Sequence, residues 1–208
     1  MAGRLVVLGA GNCNDLDLAE VASVFREVHL VDIDSDAVQR GVERQRMGSA
    51  PVLRVHGGVD VTRMLQDCPS GVESADVVVS AGVMSQLING AASEGLEAAG
   101  LLRVRDAHLQ TMMGLLRQGG RGVLVDDVVS SDTCPQLPAT PQDQLPLLLS
   151  RLLEERNFFT GCNPFAIAQK LAMPPLRATG QAVSPPWRWD IGTRSYLVCA
   201  VSFRRDTL

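Results

Sequence analysis

Short apolar runs alternate with amphipathic helical patterns along this chain, and that alternation restricts its fold more than any other feature. A continuous β-branched run is typical of a strand covered on both faces of a parallel sheet. Five such strands are predicted, at residues 4–8, 28–31, 51–55, 76–80 and 122–125. Helices are predicted at residues 15–25, 35–47, 83–89, 104–118 and 147–156. Repeated β-α-β spacing requires right-handed crossovers, so we expect an α/β fold with an open parallel sheet and helices on both faces.

The last third of the chain has a different pattern. Four prolines between residues 130 and 146 predict a loop after the fifth strand, either a lid or a surface linker. Residues 174–186 form a second irregular segment. Two strand-like runs, at 187–191 and 195–203, flank a short glycine turn and predict an antiparallel hairpin at the sheet edge. We therefore expect one domain over residues 1–208 with a seven-stranded sheet.

Composition sets broad limits on function. With 46% hydrophobic residues, 20% charged residues and a net charge of −4, the chain is expected to be globular. It lacks the basic excess of a protein that binds the phosphate backbone, so we expect no nucleic-acid partner. Five scattered cysteines and three scattered histidines predict free thiols and no metal site. The apolar N-terminal run is too short for a signal peptide or a membrane span, so we expect a cytoplasmic location without a membrane partner.

A glycine turn follows the first strand, in the sequence VVLGAGNCND, where open α/β sheets bind nucleotides. Gly9 and Gly11 allow the backbone to approach a ligand, and the N–H groups at the start of the next helix attract anions. Asp32 ends the second strand, where its carboxylate is placed to accept hydrogen bonds from both hydroxyls of a ribose. Together these residues predict an adenosine-bearing ligand.

Three alternatives remain at this turn. Gly9 and Gly11 can form a tight turn without a ligand, with Asp32 capping the next helix. Asp34 competes for the ribose, although its position just before a helix favours an N-cap, with Ser35 and Asp36 as alternative caps. A dinucleotide site requires a third glycine at the position of Asn14, so the alternative of an NAD-dependent oxidoreductase is disfavoured.

These features resemble the class I S-adenosylmethionine-dependent methyltransferases, and the likeness covers most of the chain. The similar segments are LGAGN, LVDID, GGVDVT, ADVVVSAGVMSQL, LLRQGGRGVLVDD and the closing WRWDIGTRSYLVCAVSFRR. The resemblance implies a three-layer Rossmann-like sandwich with a mostly parallel seven-stranded sheet in the order 3-2-1-4-5-7-6, ending in an antiparallel hairpin. It also implies S-adenosyl-L-methionine as cofactor and methyl transfer to a small-molecule acceptor. The implied cofactor-binding residues are Gly9, Gly11, Asn12, Asp32, Asp60 and Ser80, with Asp60 at the adenine amine.

Two positions differ from the family pattern. Val7 stands where the family usually carries an acid, and Cys13 stands at the third glycine. Asp15 and Asp17, early in the predicted helix, are possible substitutes for that acid, with helix-end charge complementarity as the simpler interpretation. These differences favour a third hypothesis, that of a non-catalytic module that binds the cofactor or a partner.

The methyl acceptor of such folds lies beyond the carboxyl ends of the fourth and fifth strands, where this chain has Ser80, Ser85, Gln86, Asp126 and Asp127. The two serines are more typical of turn and helix-cap hydroxyls than of catalytic groups. Asp126 and Asp127 are weak catalytic candidates there, since burial would raise the pKa of one of them into the range of a general base. Gln86 is a third candidate, for orienting the acceptor or the cofactor. Structural or solvated roles are the alternative for all three. Alignment of the reactants alone supplies about 7–11 kcal/mol, so a methyltransferase does not require a base.

Overall fold

The computed structural model describes residues 2–206. Six α-helices occur in this part of the chain: α1 (Leu18–Val24), α2 (Ser35–Arg44), α3 (Val83–Ser93), α4 (Ala98–Leu115), α5 (Leu145–Glu154) and α6 (Pro164–Ala172). The strands there are β1 (Ala2–Leu8), β2 (Phe25–Asp32), β3 (Leu53–Gly57), β4 (Ala75–Ala81), β5 (Leu116–Ser130), β6 (Thr179–Val183), β7 (Trp187–Ile191) and β8 (Arg194–Arg204). Every predicted helix and strand is present, most of them with shifted ends and β7 with the predicted ends, and α6 and β6 are additional.

The strands form one mostly parallel sheet in the order β3-β2-β1-β4-β5-β8-β6, and β7 also pairs with β8. Strand β1 is parallel to both β2 and β4, with Leu8 aligned with Val31 on one side and with Ser80 on the other. Strands β7 and β8 form the antiparallel hairpin, in which Trp187 lies opposite Val198. The predicted fold class, including its C-terminal hairpin, is confirmed.

The sheet has one strand more than predicted because the edge strand beside β8 is divided in two. Strands β6 and β7 both pair with β8 and are separated by Ser184, Pro185 and Pro186. Ser184 still donates its N–H to the carbonyl of Ala200 at 2.9 Å. The two prolines have no N–H to donate, so the ladder is interrupted there and resumes at β7. The strand order is therefore the predicted one with an interrupted sixth strand.

The chain divides into two compact units. The first comprises the described residues of Met1–Ala81, Ala107–Val123 and Arg204–Leu208. The second comprises Gly82–Asp106 and Leu124–Phe203. The expectation of a single domain stays a prediction.

In the first unit, helices lie on both faces of the sheet. One face packs on α1 and α2 through a buried cluster formed by Leu5, Val7, Ala10, Cys13, Leu18, Val28, Leu30, Val38, Val42 and Leu53. Val79 of β4 packs against the same cluster. Side chains alternate along a strand, so that of the next residue, Ser80, points to the opposite face. There its hydroxyl meets His108 of α4.

The second unit has its own core around α5. The buried cluster consists of Val128, Val129, Cys134, Leu137, Leu145, Leu148, Leu149, Leu152, Leu197 and Cys199. Three of these residues, Cys134, Leu137 and Leu145, belong to the proline-rich segment that was predicted to be a loop. That segment contains two short 3-10 turns, and its buried side chains anchor it in the core.

Helix α4 ends earlier than predicted because the backbone that follows it joins the sheet. The Arg205 guanidinium donates to the carbonyl oxygens of Met113, at 3.0 Å, and Leu116, and thereby satisfies acceptors at the helix end. The N–H of Gly119 donates to the Arg205 carbonyl at 3.0 Å, and the N–H of Arg205 donates to Gly120 at 2.9 Å. Strand β5 consequently begins directly after α4.

Candidate cofactor site

The turn after β1 has a backbone shape that depends on its glycines. Gly9, Gly11 and Cys13 have φ angles of 74°, 47° and 51°, in the left-handed region. Gly9 and Ala10 both donate their N–H groups to the carbonyl of Val31, at 3.0 and 3.2 Å. Glycine adopts this region at little cost, whereas a residue with a Cβ does not. The turn therefore crosses the end of β2 before the chain continues to α1. We call residues 9–17 the cofactor loop.

The first helix begins later than the sequence predicts. Helix α1 starts at Leu18, and its N-cap Asp17 accepts a hydrogen bond from the N–H of Glu20 at 2.9 Å. The prediction of a helix from Asp15 was wrong, and so was the expectation that a helix N-terminus directly follows the glycines. The N–H groups of the loop, and not those of a helix, therefore lie beside Gly11.

Gln45, which follows α2, organises this loop. Its Oε1 accepts a hydrogen bond from the N–H of Leu18 at 2.9 Å. Its Nε2 donates to the carbonyl oxygens of Cys13 and Leu16, both at 2.8 Å. The side-chain amide thus replaces backbone bonds that a longer helix α1 would have supplied. Sequence reasoning missed Gln45 because its partners are 27 to 32 residues away.

Helix α2 makes two further contacts with the loop. Arg44 donates to the carbonyl of Asn12 at 2.6 Å. A Cβ at Gly41 would lie 2.4 Å from the same carbonyl oxygen, so only glycine allows the helix to approach this closely. The Asn12 side chain itself is exposed.

The Asp32 carboxylate binds the glycine turn. Its Oδ2 accepts a hydrogen bond from the N–H of Gly11 at 2.8 Å, and its Oδ1 accepts one from the N–H of Asp34 at 2.9 Å. Among residues 2–206 these are its partners, and the remaining lone pairs of the two oxygens are left for a ligand. Asp34 accepts from the N–H of Ala37 at 2.9 Å as the N-cap of α2, so the predicted cap is confirmed and Asp32 does not cap that helix.

Asp60 lies beside the end of β2. The preceding residue, Val59, donates its N–H to the Asp32 carbonyl at 3.0 Å. Oδ1 of Asp60 accepts from the hydroxyl of Thr62 at 2.7 Å and from its N–H at 2.8 Å, and these bonds lower the pKa of the carboxyl. In the described part of the chain Oδ2 has no donor, so a charged oxygen is left for a ligand.

The position of the family's acid is apolar in this chain. Val7 is 1% exposed and belongs to the buried cluster under α1 and α2. Asp17 is engaged as the N-cap of α1. Asp15 is an exposed loop residue whose partial burial raises the pKa of its carboxyl. Asn12, Asn14 and Asp15 are therefore the exposed polar side chains of the loop that remain accessible.

Ser80 does not join these residues at the loop. Its side chain is fully buried, and its Oγ lies 2.8 Å from Nε2 of His108. Burial lowers the pKa of His108 to about 4, so the imidazole is neutral at physiological pH. The structure thus places Gly9, Gly11 and Asn12 at the same end of β2 as Asp32 and Asp60. It places the Ser80 side chain in the core.

The second unit contains a cluster around the predicted catalytic acids. Asp126 is 5% exposed, and its Oδ1 accepts from the N–H of Ser85 at 3.2 Å. The Cys162 thiol lies 3.8 Å from its Oδ2. Burial raises the pKa of Asp126 to about 7 and raises that of Cys162 far above its usual range. Asp127 is partly exposed, burial raises the pKa of its carboxyl too, and its Oδ2 lies 3.4 Å from the Ser85 hydroxyl.

Ser85 and Gln86 lie in the first turn of α3, where the N-cap residue is Gly82. Glycine has no side chain with which to cap the helix, so Asp126 of β5 supplies the carboxylate oxygen. The Gln86 side chain is exposed. Ser85, which was predicted to lie at this end of the sheet, contacts both acids, through its N–H and through its hydroxyl.

Two of the three histidines meet, which their spacing did not indicate. Nδ1 of His29 lies 2.9 Å from Nε2 of His56, on neighbouring strands. Burial lowers the pKa of both imidazoles, and one of the two facing nitrogens carries the proton of the hydrogen bond between the rings. Within residues 2–206, no group of three or more His, Cys, Asp or Glu side chains is arranged to hold a metal ion.

The described helices include none with the length and apolar character needed to cross a bilayer.

Comparison with known proteins defines the class of fold. No protein-family model matches the sequence, and no curated protein matches it. Many solved structures match it over almost its whole length. Their fold is that of the S-adenosylmethionine-dependent methyltransferases of class I, and this chain has that fold, as the sequence resemblance predicted.

Three solved structures illustrate the likeness. The N-methyltransferase NodS from Bradyrhizobium japonicum, in complex with S-adenosyl-L-homocysteine, matches with a TM-score of 0.55 and 14% identity over 98% of this chain and 78% of its own. A methyltransferase described as putative, from Bacillus halodurans, has a TM-score of 0.57 and 10% identity over 98% and 93%. The CurJ carbon methyltransferase has a TM-score of 0.59 and 16% identity over 98% of this chain and 48% of its own. At these identities the likeness defines the fold alone.

Proposed function

We propose that this chain is an S-adenosyl-L-methionine-dependent methyltransferase that acts on a small-molecule acceptor. The observation that carries the proposal is the Asp32 carboxylate, which is held beside the glycine turn by the N–H of Gly11 at 2.8 Å and keeps lone pairs for a ligand. A carboxylate in this position recognises a vicinal diol, which a ribose supplies.

The neighbouring residues fit the rest of a nucleoside. Ile33 follows Asp32 and is 70% exposed, so an apolar side chain lies beside the Asp32 carboxylate proposed to bind the ribose. A planar base packs favourably on such a surface. Oδ2 of Asp60 supplies an acceptor for an exocyclic amine on the same base. These three residues support an adenosine-bearing ligand.

The other end of the cofactor must be held without the family's acid. The ammonium and carboxylate of a methionine group require polar partners, and Val7 has none to offer. We assign this role to the exposed side chain of Asn12 and to the loop backbone after Gly9. When bound, the sulfonium of S-adenosylmethionine supplies an electrophilic methyl group, so the protein's main task is to align the acceptor with it.

For an acceptor that must lose a proton, we assign the base to Asp127. Asp127 is partly exposed, whereas Asp126 is buried against Ser85 and Cys162. Burial raises the pKa of Asp127 towards the range in which a carboxylate accepts a proton near neutral pH. Gln86, exposed one residue after Ser85, is the candidate for orienting the acceptor.

A second candidate function is that of a non-catalytic cofactor-binding module. The apolar environment of Val7 favours it, because the acid that commonly holds the methionine amino group has no counterpart in that position. Both hypotheses predict binding of S-adenosylhomocysteine. Only the first predicts transfer of a labelled methyl group to some member of a panel of small amines, alcohols, thiols and carbon acids.

Isothermal titration with S-adenosylmethionine, S-adenosylhomocysteine and NAD tests the proposed cofactor. We expect both sulfur compounds to bind and NAD not to bind. Asp32→Ala should weaken S-adenosylhomocysteine binding about ten- to a hundredfold, since a charged acceptor of ribose hydroxyls contributes about 1.5–3 kcal/mol. Asp36→Ala, an exposed acid in the first turn of α2, is the matched control and should bind normally. Binding of NAD alone would overturn the proposal.

A further inference from the structure

We propose that Gln45 is a positioning residue for the cofactor loop, a role that rests on the proposed function. Gln45 is remote in sequence from the loop and follows a different helix. Its amide holds the loop in the shape that presents Gly11 and Asn12 to a ligand. The predicted consequence is that cofactor affinity depends on a side chain that does not itself touch the cofactor.

The amide of Gln45 is used to its full capacity. A primary amide has two N–H donors and one carbonyl acceptor. Oε1 accepts from Leu18, and the two N–H groups of Nε2 donate to Cys13 and Leu16, all at 2.8–2.9 Å. Three bonds to one small group fix its orientation and tie both ends of this stretch of loop to α2. Among side chains, only the longer amide combines this reach with this set of donors and acceptors.

The loop conformation needs such a restraint. Cys13 has a φ of 51°, which a residue with a Cβ adopts only at some cost in energy. Gln45 holds the carbonyl of this same residue. Two residues before it, Gly11 donates its N–H to Asp32. The restraint on Cys13 therefore acts, over two residues of backbone, on the Gly11 N–H that donates to the Asp32 carboxylate.

The energetic role follows from preorganisation. A loop that is already fixed in its binding conformation loses little conformational freedom when a ligand arrives. Without the amide of Gln45, the ligand itself must order residues 12–18. The affinity then falls by the cost of that ordering, although every group that touches the ligand is still present.

Helix α2 offers a matched control. Gln39 also lies on this helix, but its Nε2 donates to Oε1 of Glu43 at 2.8 Å on the exposed surface. Gln39→Met and Gln45→Met make the same chemical change, from an amide to a thioether of similar length. Only Gln45→Met removes bonds to the cofactor loop.

The experiment measures S-adenosylhomocysteine affinity by isothermal titration, and amide hydrogen exchange of the apo and saturated proteins. We expect Gln45→Met to bind about tenfold more weakly than wild type and Gln39→Met to bind normally. In the apo protein, the amide hydrogens of residues 12–18 should exchange faster in Gln45→Met than in wild type, whereas the exchange rates of β8 should be unchanged. With saturating S-adenosylhomocysteine, loop exchange should return towards the wild-type rate. A purely structural role would instead raise exchange throughout the first unit, without this recovery.

Gln45→Glu gives a second, independent test if the methionine variant fails to fold. Glutamate keeps the acceptor for Leu18 and loses both donors to Cys13 and Leu16, so weaker binding is again expected. Wild-type affinity in either folded Gln45 variant would overturn the positioning role while the cofactor proposal stands. If wild type itself binds neither sulfur compound, the proposed function is wrong and the role of Gln45 is overturned with it.

Discussion

The N–H of Ser85 donates to Oδ1 of Asp126 at 3.2 Å, so a buried carboxylate of β5 fixes the first turn of α3. Burial raises the pKa of this carboxyl from its usual 3.8 to about 7. Between these two pH values the folded state holds a proton that the unfolded chain has released. The free energy of unfolding therefore falls as the pH rises from 4 towards 7, and this contribution is constant above 7.

Asp126→Asn removes this titration while it keeps an acceptor for Ser85. We expect the variant to match wild type near pH 4 and to be more stable at pH 8, by roughly 1–4 kcal/mol. Urea unfolding at pH 4.5, 6 and 8 measures the difference. Asp143→Asn, at an exposed 3-10 turn in the same unit, is the control and should show the wild-type pH dependence. An equal pH dependence for Asp126→Asn and wild type would show that the buried carboxyl is ionised throughout.

The part of the site that could be predicted from sequence is the part encoded locally. Gly9 and Gly11 stand at a strand end, and Asp32 ends the next strand, so spacing alone places them at one edge of a parallel sheet. Gln45 could not be found in this way. Its role depends on how α2 docks on the loop, and nothing in a neutral residue near a helix end indicates partners 27 to 32 residues away.

Strand alternation explains why the Ser80 side chain is not at the proposed cofactor site. Ser80 was expected at the cofactor because it lies near the end of β4, but its side chain points to the face that α4 covers. An apolar run such as DVVVS does not show which side chains reach the edge.

Helix α6, by contrast, was recognisable from the sequence. Asn163 followed by Pro164 is a typical helix start, and the Asn163 side chain indeed accepts from the N–H groups of Phe165 and Ala166.

Ile33→Ala tests the proposed surface for the base. Because Ile33 is 70% exposed, the free energy of unfolding should change by less than about 0.5 kcal/mol. S-adenosylhomocysteine affinity should fall about three- to tenfold, since the apolar contact is lost. Ile191→Ala, at an isoleucine that is 59% exposed in β7, should leave affinity unchanged. Titration calorimetry compares the variants, and equal affinities would remove Ile33 from the site.

Val7→Asp tests whether the family's acid can be restored by one substitution. Val7 lies in the apolar cluster at 1% exposure, where a carboxylate has neither water nor a cation. We expect this variant to lose at least about 3 kcal/mol of stability at pH 7 and to gain no cofactor affinity. Val7→Ala, which only removes methyl groups, should lose about 1–3 kcal/mol. Urea unfolding compares the two variants. Wild-type stability in Val7→Asp would mean that position 7 is open to a ligand or to solvent.

The conformation of Cys13 gives a last prediction, because this residue occupies the place of a glycine with a φ of 51°. Cys13→Gly and Cys13→Ala both remove the buried thiol, so the difference between them isolates the backbone. We expect the glycine variant to be more stable by about 1 kcal/mol, because alanine keeps a Cβ in the left-handed region. Ala10 lies in the same loop but does not have a positive φ. Ala10→Gly should therefore lower stability instead, by about 0.5–1 kcal/mol or more. Equal unfolding free energies for the two Cys13 variants would show that the loop relaxes around position 13, contrary to the restraint assigned to Gln45.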